Sequence, residues 1–216
     1  MPASAQMSRR RLTAEHRREL ILRGALELFA ERGYERTSMS EVAQAAGITP
    51  AVIYDHFSSK AQLAIELLER HTAELLMAVA GAVERAPANA SARMQAGVEA
   101  FFAYVEEHRS TWRILFRDSP SDPEVAAAYR RLNDQATAAI AVFLRSADEG
   151  NALATYENPA QTAEMYAEAL KAAQNGLASW WYEHPEVSRQ EVVERLLDFA
   201  WKGLERVSLD GTRATR

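Results

Sequence analysis

Nowhere in the 216 residues do apolar and polar side chains alternate with period two, so the chain lacks the pattern from which a half-buried strand is built. Apolar residues recur instead at intervals of three and four. Alanine supplies roughly one residue in five, and β-branched runs are scarce. The fold expected is all-α.

Capping and breaking residues divide this pattern into segments. Thr13 is placed to cap a first helix reaching Arg32, with Ile21, Ala25, Leu28 and Phe29 on one face and Gly33 as its stop. Ser40 stands as cap of a short second helix, Glu41 to Ala46, ended by Gly47. Thr49 with Pro50 behind it opens a third, through Phe57. Ser58 or Ser59 caps a fourth, from Lys60 to Arg85, before Pro87 breaks it. Further helices are expected over Ser91 to His108, around Trp112 to Phe116, from Asp122-Pro123 to Ala147, from Asn158-Pro159 to His184-Pro185, and from Ser188 onward.

Several function classes fall away on composition. With 48% hydrophobic and 25% charged residues, nine Gly and seven Pro, the chain is neither disordered nor collagen-like. Without cysteine it has no disulfide, thiolate metal site or Cys nucleophile, which fits the cytoplasm, and no metal or cofactor is expected. No apolar run approaches the length of a membrane span, and MPASAQMSRRRLTAEHRRE carries no apolar stretch behind its arginines, so neither membrane association nor a signal peptide is expected. The H-E-x-x-H, G-x-S-x-G, P-loop and Rossmann fingerprints are absent, the five histidines are scattered, and Glu106 and Glu107 point in different directions on a helix. The net charge of -5 is uneven: through residue 60 basic side chains outnumber acidic ones, and beyond it the balance reverses. A locally basic segment on an acidic body suits a compact DNA reader attached to a regulatory part.

The three short segments before residue 60 have the proportions of a DNA-binding helix-turn-helix. Val42, Ala46, Ile48 and Ile53 fall where two crossing helices bury apolar groups. Ala43 sits at their close approach, and Gly47 occupies the turn, where a left-handed backbone costs glycine least. Tyr34 and Phe57 have the spacing of core residues. Eight aromatic positions follow in the larger part, Phe101, Phe102, Tyr104, Trp112, Phe116, Tyr129, Phe143 and Tyr166. A bundle brings them together either as ordinary core or as the lining of an apolar ligand cavity. In the penultimate helix Ala169, Ala172, Ala173 and Gly176 form a strip of small residues beside Leu177 and Trp180. The last helix is apolar on more than one side, with Val193, Leu196, Leu197, Ala200 and Leu204. Such a pair suits a four-helix dimer interface or a buried intrachain pair.

The run LELFAERGYERTSMSEVAQAAGITPAVIYDHFSSKAQL, Leu26 through Leu63, resembles the DNA-binding segment of TetR-family transcriptional regulators. The resemblance implies a homodimeric, repressor-like protein that binds a palindromic operator in double-stranded DNA and is released by a small apolar molecule bound in its C-terminal domain. It also implies roles for single residues. Thr37 and Ser38 match a phosphate contact at the start of the second helix; Thr49, Pro50 and Ala51 open the recognition helix; Tyr54 and His56 match the aromatic and phosphate-contacting positions; and Lys60 matches a lysine that clamps the backbone. Asp55, a carboxylate on the same helix, either accepts from a cytosine amino group or pairs with a base such as Arg36. The Arg9 to Arg11 cluster is either an arm on the DNA or a solvated tail. The domain organisation expected is a disordered basic tail over 1–12, a helix-turn-helix DNA-binding domain over 13–59, a helical ligand-binding and dimerisation domain over 60–208, and a disordered tail over 209–216. The alternative function is a helical small-molecule carrier or enzyme whose helix-turn-helix is only structural.

Overall fold

The computed structural model of the protein describes residues 13–112, 121–146 and 152–208. Among the described residues there is no strand. The helices are α1 (Ala14–Arg32), α2 (Met39–Ala45), α3 (Pro50–Tyr54), α4 (Lys60–Arg85), α5 (Ala90–Glu107), α6 (Arg109–Trp112), α7 (Pro123–Ser146), a 3-10 turn (Ala152–Thr155), α8 (Pro159–Glu183) and α9 (Arg189–Ser208). The tails expected over 1–12 and 209–216, the Arg9 to Arg11 cluster and Phe116 lie outside the described residues.

Local chemistry sets these boundaries. Thr13 caps α1 by accepting the His16 N–H at 3.2 Å, and Gly33 ends the helix at φ +85°. The cap of α2 is Ser38 rather than Ser40. Ser38 Oγ accepts the Glu41 N–H at 3.3 Å while the Glu41 carboxylate takes the Ser38 N–H at 2.8 Å, a reciprocal pair that Ser40 lacks because Ala43 stands three residues after it. Thr49 makes no side-chain cap, and α3 is shorter than expected: beyond Tyr54 the chain continues as turns, with the His56 N–H on the Ile53 carbonyl at 3.0 Å. Asn89 starts α5, Ser59 starts α4, and α6 ends at Trp112; the rest of the helix expected around Trp112 to Phe116 lies outside the described residues.

Two main cores form. One joins α1 to α3 with the first turns of α4 through Ile21, Phe29, Val42, Ile53, Phe57 and Leu63, all at most 2% exposed. The other gathers α5, α6, α8 and α9 around Phe102, Trp112 and Trp181, whose rings meet edge to face through Phe101 and Phe102. Two long helices run through both. In α4, Leu67 and Leu68 belong to the first core and Leu75 to the second. In α7, Val125 and Leu132 belong to the first, while Ile140 and Phe143 pack against the second.

Candidate nucleic-acid interface and ligand cavity

The angle between α2 and α3 is held from inside. Val42, Ala43 and Ile53 are fully buried, and Gly47 turns the chain at φ +68°. Behind α2, Gly24 of α1 permits a close approach, since a Cβ there would lie 3.2 Å from the Ala45 Cβ. Gly24 escaped the sequence reading because a glycine inside a helical run has no periodic signature. With that inner side filled, Thr49, Pro50, Ala51, Tyr54 and Asp55 face outward, and Tyr54 is 56% exposed.

Other expected contact groups are already committed. Thr37 is 2% exposed and its hydroxyl donates to the Gly33 carbonyl at 2.9 Å, so the hydroxyl expected on a phosphate closes the α1–α2 loop instead. Ser38 spends both its amide and its hydroxyl on Glu41, whose carboxyl these bonds hold below its ordinary pKa. Lys60 is half-buried. Its ammonium lies 4.2 Å from the centre of the Tyr34 ring and donates to the Tyr34 carbonyl at 2.9 Å, which ties the start of α4 to the α1–α2 loop. Tyr34 and Phe57 are core, as their spacing predicts. His56 is half-buried, and its carbonyl accepts from Arg18 at 3.0 Å; the same guanidinium pairs with Glu66 and stacks 4.3 Å from the centre of the Phe57 ring. Asp55 stays exposed. The pairing with Arg36 does not form, because Arg36 donates to the Arg32 carbonyl at 2.7 Å.

A cavity of about 480 Å³ lies between α4, α5, α7 and α8. Its lining follows α4 from Leu68 to Glu84, about 24 Å of helix at 1.5 Å per residue. Most of the lining is aliphatic. Of the eight aromatics named from sequence, Phe101, Trp112, Tyr129 and Phe143 border it. Phe102 is fully buried against Trp181 and belongs to the core. Tyr104 bonds to His71 at 2.9 Å, and Tyr166 bonds to Tyr156 at 3.0 Å beside the 3-10 turn; these three lie outside the cavity wall. Period and residue type identify apolar helix faces, but whether two such faces touch or stand apart depends on how the helices cross. Lys171, missed from sequence, also reaches the wall. It is 6% exposed, and its ammonium is held by Thr137 Oγ1 at 2.5 Å, the Asn133 carbonyl at 3.3 Å and Glu168 at 2.6 Å.

The cavity wall is tied to the head. Tyr34 Oη donates to Asp122 at 3.1 Å, and Glu35 accepts from the Ser121 amide at 3.1 Å and hydroxyl at 2.5 Å, so the loop after α1 is fastened to the start of α7. The Ser121 bonds hold the Glu35 carboxyl below its ordinary pKa.

Of the expected interface residues, Ala169, Gly176 and Trp180 are exposed on one side of α8, continuous with exposed Met165, and a Cβ at Gly176 would meet nothing within 4 Å. Ala173, Leu177, Leu197 and Ala200 are half-buried. Val193 and Leu196 are 4% and 3% exposed and pack into the second core of their own chain; among the described side chains of α9, Phe199 is the outward apolar residue, 73% exposed. The side chain of Leu204 lies outside the described residues.

Two family models match. The description "Bacterial regulatory proteins, tetR family" covers residues 21–67, and "Tetracyclin repressor-like, C-terminal domain" covers 90–203. Among curated proteins, the HTH-type transcriptional activator FasR of Mycolicibacterium smegmatis is 34% identical over 210 residues, 96% of this chain and 92% of that one. The HTH-type transcriptional repressor KstR2 of Mycobacterium tuberculosis is 35% identical over 94 residues, 44% of this chain and 46% of that one. Among solved structures, a TetR-like regulator from Rhodococcus sp. RHA1 shares the fold at a TM-score of 0.73 and 24% identity, over 90% of this chain and 99% of that one. A helix pair held at a glycine turn, a helical body behind it and a full-length relative that regulates transcription agree: this chain belongs to the tetR family of bacterial regulatory proteins, DNA-binding transcriptional regulators rather than enzymes.

Proposed function

We propose that the protein binds a palindromic operator as a homodimer and that a small apolar molecule in the α4–α5–α7–α8 cavity lowers its affinity for that operator. The observation that carries the reading is the mainly apolar cavity whose two long walls, α4 and α7, both continue into the core of the helix-turn-helix. A ligand that spreads these walls changes where the heads stand, and only a difference in its affinity for the two shapes moves the equilibrium. Thr49, Pro50 and Ala51 read base edges through apolar contact with thymine methyls, while Tyr54, His56 and the remaining N–H of Lys60 reach the phosphates. Thr37 and Ser38 serve the interface by holding the α1–α2 loop. The dimer forms along the Met165, Ala169, Gly176 and Trp180 side of α8 together with Phe199 of α9, because that much exposed apolar surface on adjoining helices favours a partner over water.

Curated relatives carry the name of activator over the full length and of repressor over about half of it. Operator occupancy is therefore the regulated quantity, and the position of the operator relative to the promoter sets the sign. A selection from genomic fragments followed by gel shifts tests the reading. Lys60→Ala is expected to weaken binding to all sequences alike, and Ala51→Gln to change which sequence is preferred. Loss of both distinctions would refute the division of roles.

A further inference from the structure

Arg93 of α5 borders the cavity, and its buried Nε has no hydrogen-bond partner among the described residues. No ion pair engages the rest of its guanidinium there either. The packing of α4 against α5 sets its place. At Gly97 the two helices come so close that a Cβ would lie 3.2 Å from Val83 Cγ2, with Val79 Cγ1 at 3.8 Å. Arg93 stands one turn nearer the α4–α5 loop on the same face of α5, level with the last turn of α4 and at the end of the cavity farthest from the head. A buried guanidinium N–H without an acceptor forfeits a charge-assisted hydrogen bond, so a chain that keeps one in an apolar wall presents it to something that enters. Lys171, the other cation that borders the cavity, is committed to Thr137, Asn133 and Glu168. Glu84 borders the Arg93 end, but it is exposed and makes no ion pair with Arg93. Among the described residues of the wall, Arg93 is therefore the cation left free.

We propose that Arg93 is the specificity-determining anchor of the ligand site, and that the ligand is an amphipathic monoanion with a single carboxylate on Arg93 and an apolar tail running along α4 towards Leu68 and the head. The unpartnered atom gives the geometry of that contact. Nε and one Nη of a guanidinium form a parallel pair of donors, which matches the two oxygens of a carboxylate. A second negative charge on the ligand would meet Glu84 with no further free cation to balance it, which selects a monoanion over a dianion. Val79, Val83, Ile140 and Phe143 receive the tail. The proposal rests on reading the cavity as the ligand site. It narrows that reading, since burial of an apolar tail says nothing of the group that the tail carries.

The test uses the purified full chain and displacement of N-phenyl-1-naphthylamine, an uncharged apolar fluorophore, by three probes of matched chain length, dodecanoate, methyl dodecanoate and dodecyl phosphate, at about pH 8, where a carboxylate is ionised. Dodecanoate is expected to bind about ten-fold more tightly than the ester, the worth of one charge-assisted hydrogen bond, and more tightly than the phosphate. Arg93→Met, which keeps an unbranched stem, should bring dodecanoate down to the affinity of the ester. Arg93→Lys, a point charge without the paired edge, should restore part of the preference. Ester binding retained by both variants shows them to be folded. A parent that binds the ester as tightly as dodecanoate, or a dodecanoate affinity indifferent to Arg93→Met, would overturn the anchor while leaving the cavity as a ligand site. Tighter binding of dodecyl phosphate would overturn the choice of a monoanion. Failure of the fluorophore to bind at all, or binding that a cavity-filling Ala136→Trp does not reduce, would overturn both the anchor and the reading of the cavity.

Discussion

Thr37 and Lys60 separate two tasks that a motif alone assigns to one surface. The hydroxyl of Thr37 is buried on the Gly33 carbonyl, so Thr37→Val should lower stability by about 1–3 kcal/mol, the cost of a buried acceptor left bare, and leave the salt dependence of DNA binding unchanged. Lys60→Ala should reduce the salt slope by about one per half-site. Denaturant melts and salt titrations of both variants check this, and a changed slope for Thr37→Val would return that residue to the interface. His71 gives a prediction in pH. Burial holds its pKa below the ordinary histidine value, as do the charges of His108 and Arg70, while Glu74, 3.2 Å from its Nδ1, opposes them. Because the unfolded chain then binds the proton more readily, stability is full above about pH 6.5 and falls as pH drops through that value toward the folded one. His71→Gln should flatten the melting temperature between pH 7 and pH 5; a slope identical to the parent's would assign the acid sensitivity to other groups.

Helices were legible in the sequence where the signal is local. Thr13, Gly33, Gly47, Ser59 and Asn158 bound their elements because one side chain or one left-handed backbone satisfies the end of a helix on its own. The start of α2 was misread because two serines compete, and the winner is the one whose partner glutamate stands three residues on. Contacts that depend on how helices cross, such as Gly24 against Ala45, Lys171 on Thr137 or Glu35 on Ser121, leave no mark in periodicity. Gly24→Val therefore tests the α1–α2 approach, with a stability loss of about 1–3 kcal/mol from overpacking expected, and Gly47→Ala tests the turn, at about 1–2 kcal/mol for its positive φ. On α8, Gly176→Glu should give folded monomers. Leu196→Glu should instead unfold the chain, since Leu196 lies in its own core. Light scattering with circular dichroism distinguishes the two outcomes, and a Gly176→Glu dimer would move the interface elsewhere.

For the whole molecule, two helices join the reading head to the body: α4 continues from the head directly, and α7 is a second connection. It starts at the Tyr34–Asp122 and Glu35–Ser121 contacts, packs Val125 and Leu132 into the head, and then lines the cavity with Tyr129, Ile140 and Phe143. Paired substitutions Glu35→Ala and Asp122→Ala should leave operator affinity within a few-fold of the parent without ligand and reduce the effect of a bound ligand on it. Full retention of the ligand effect would leave α4 as the sole route. All of this presupposes two heads presented together to DNA, and footprinting of the parent protein on a selected genomic fragment examines that directly. Protection of a two-fold symmetric site, its half-sites spaced by about 34–36 Å or a multiple of it along one face of the duplex, is the result expected. A single unrepeated half-site, or no sequence protected above competitor DNA, would contradict it.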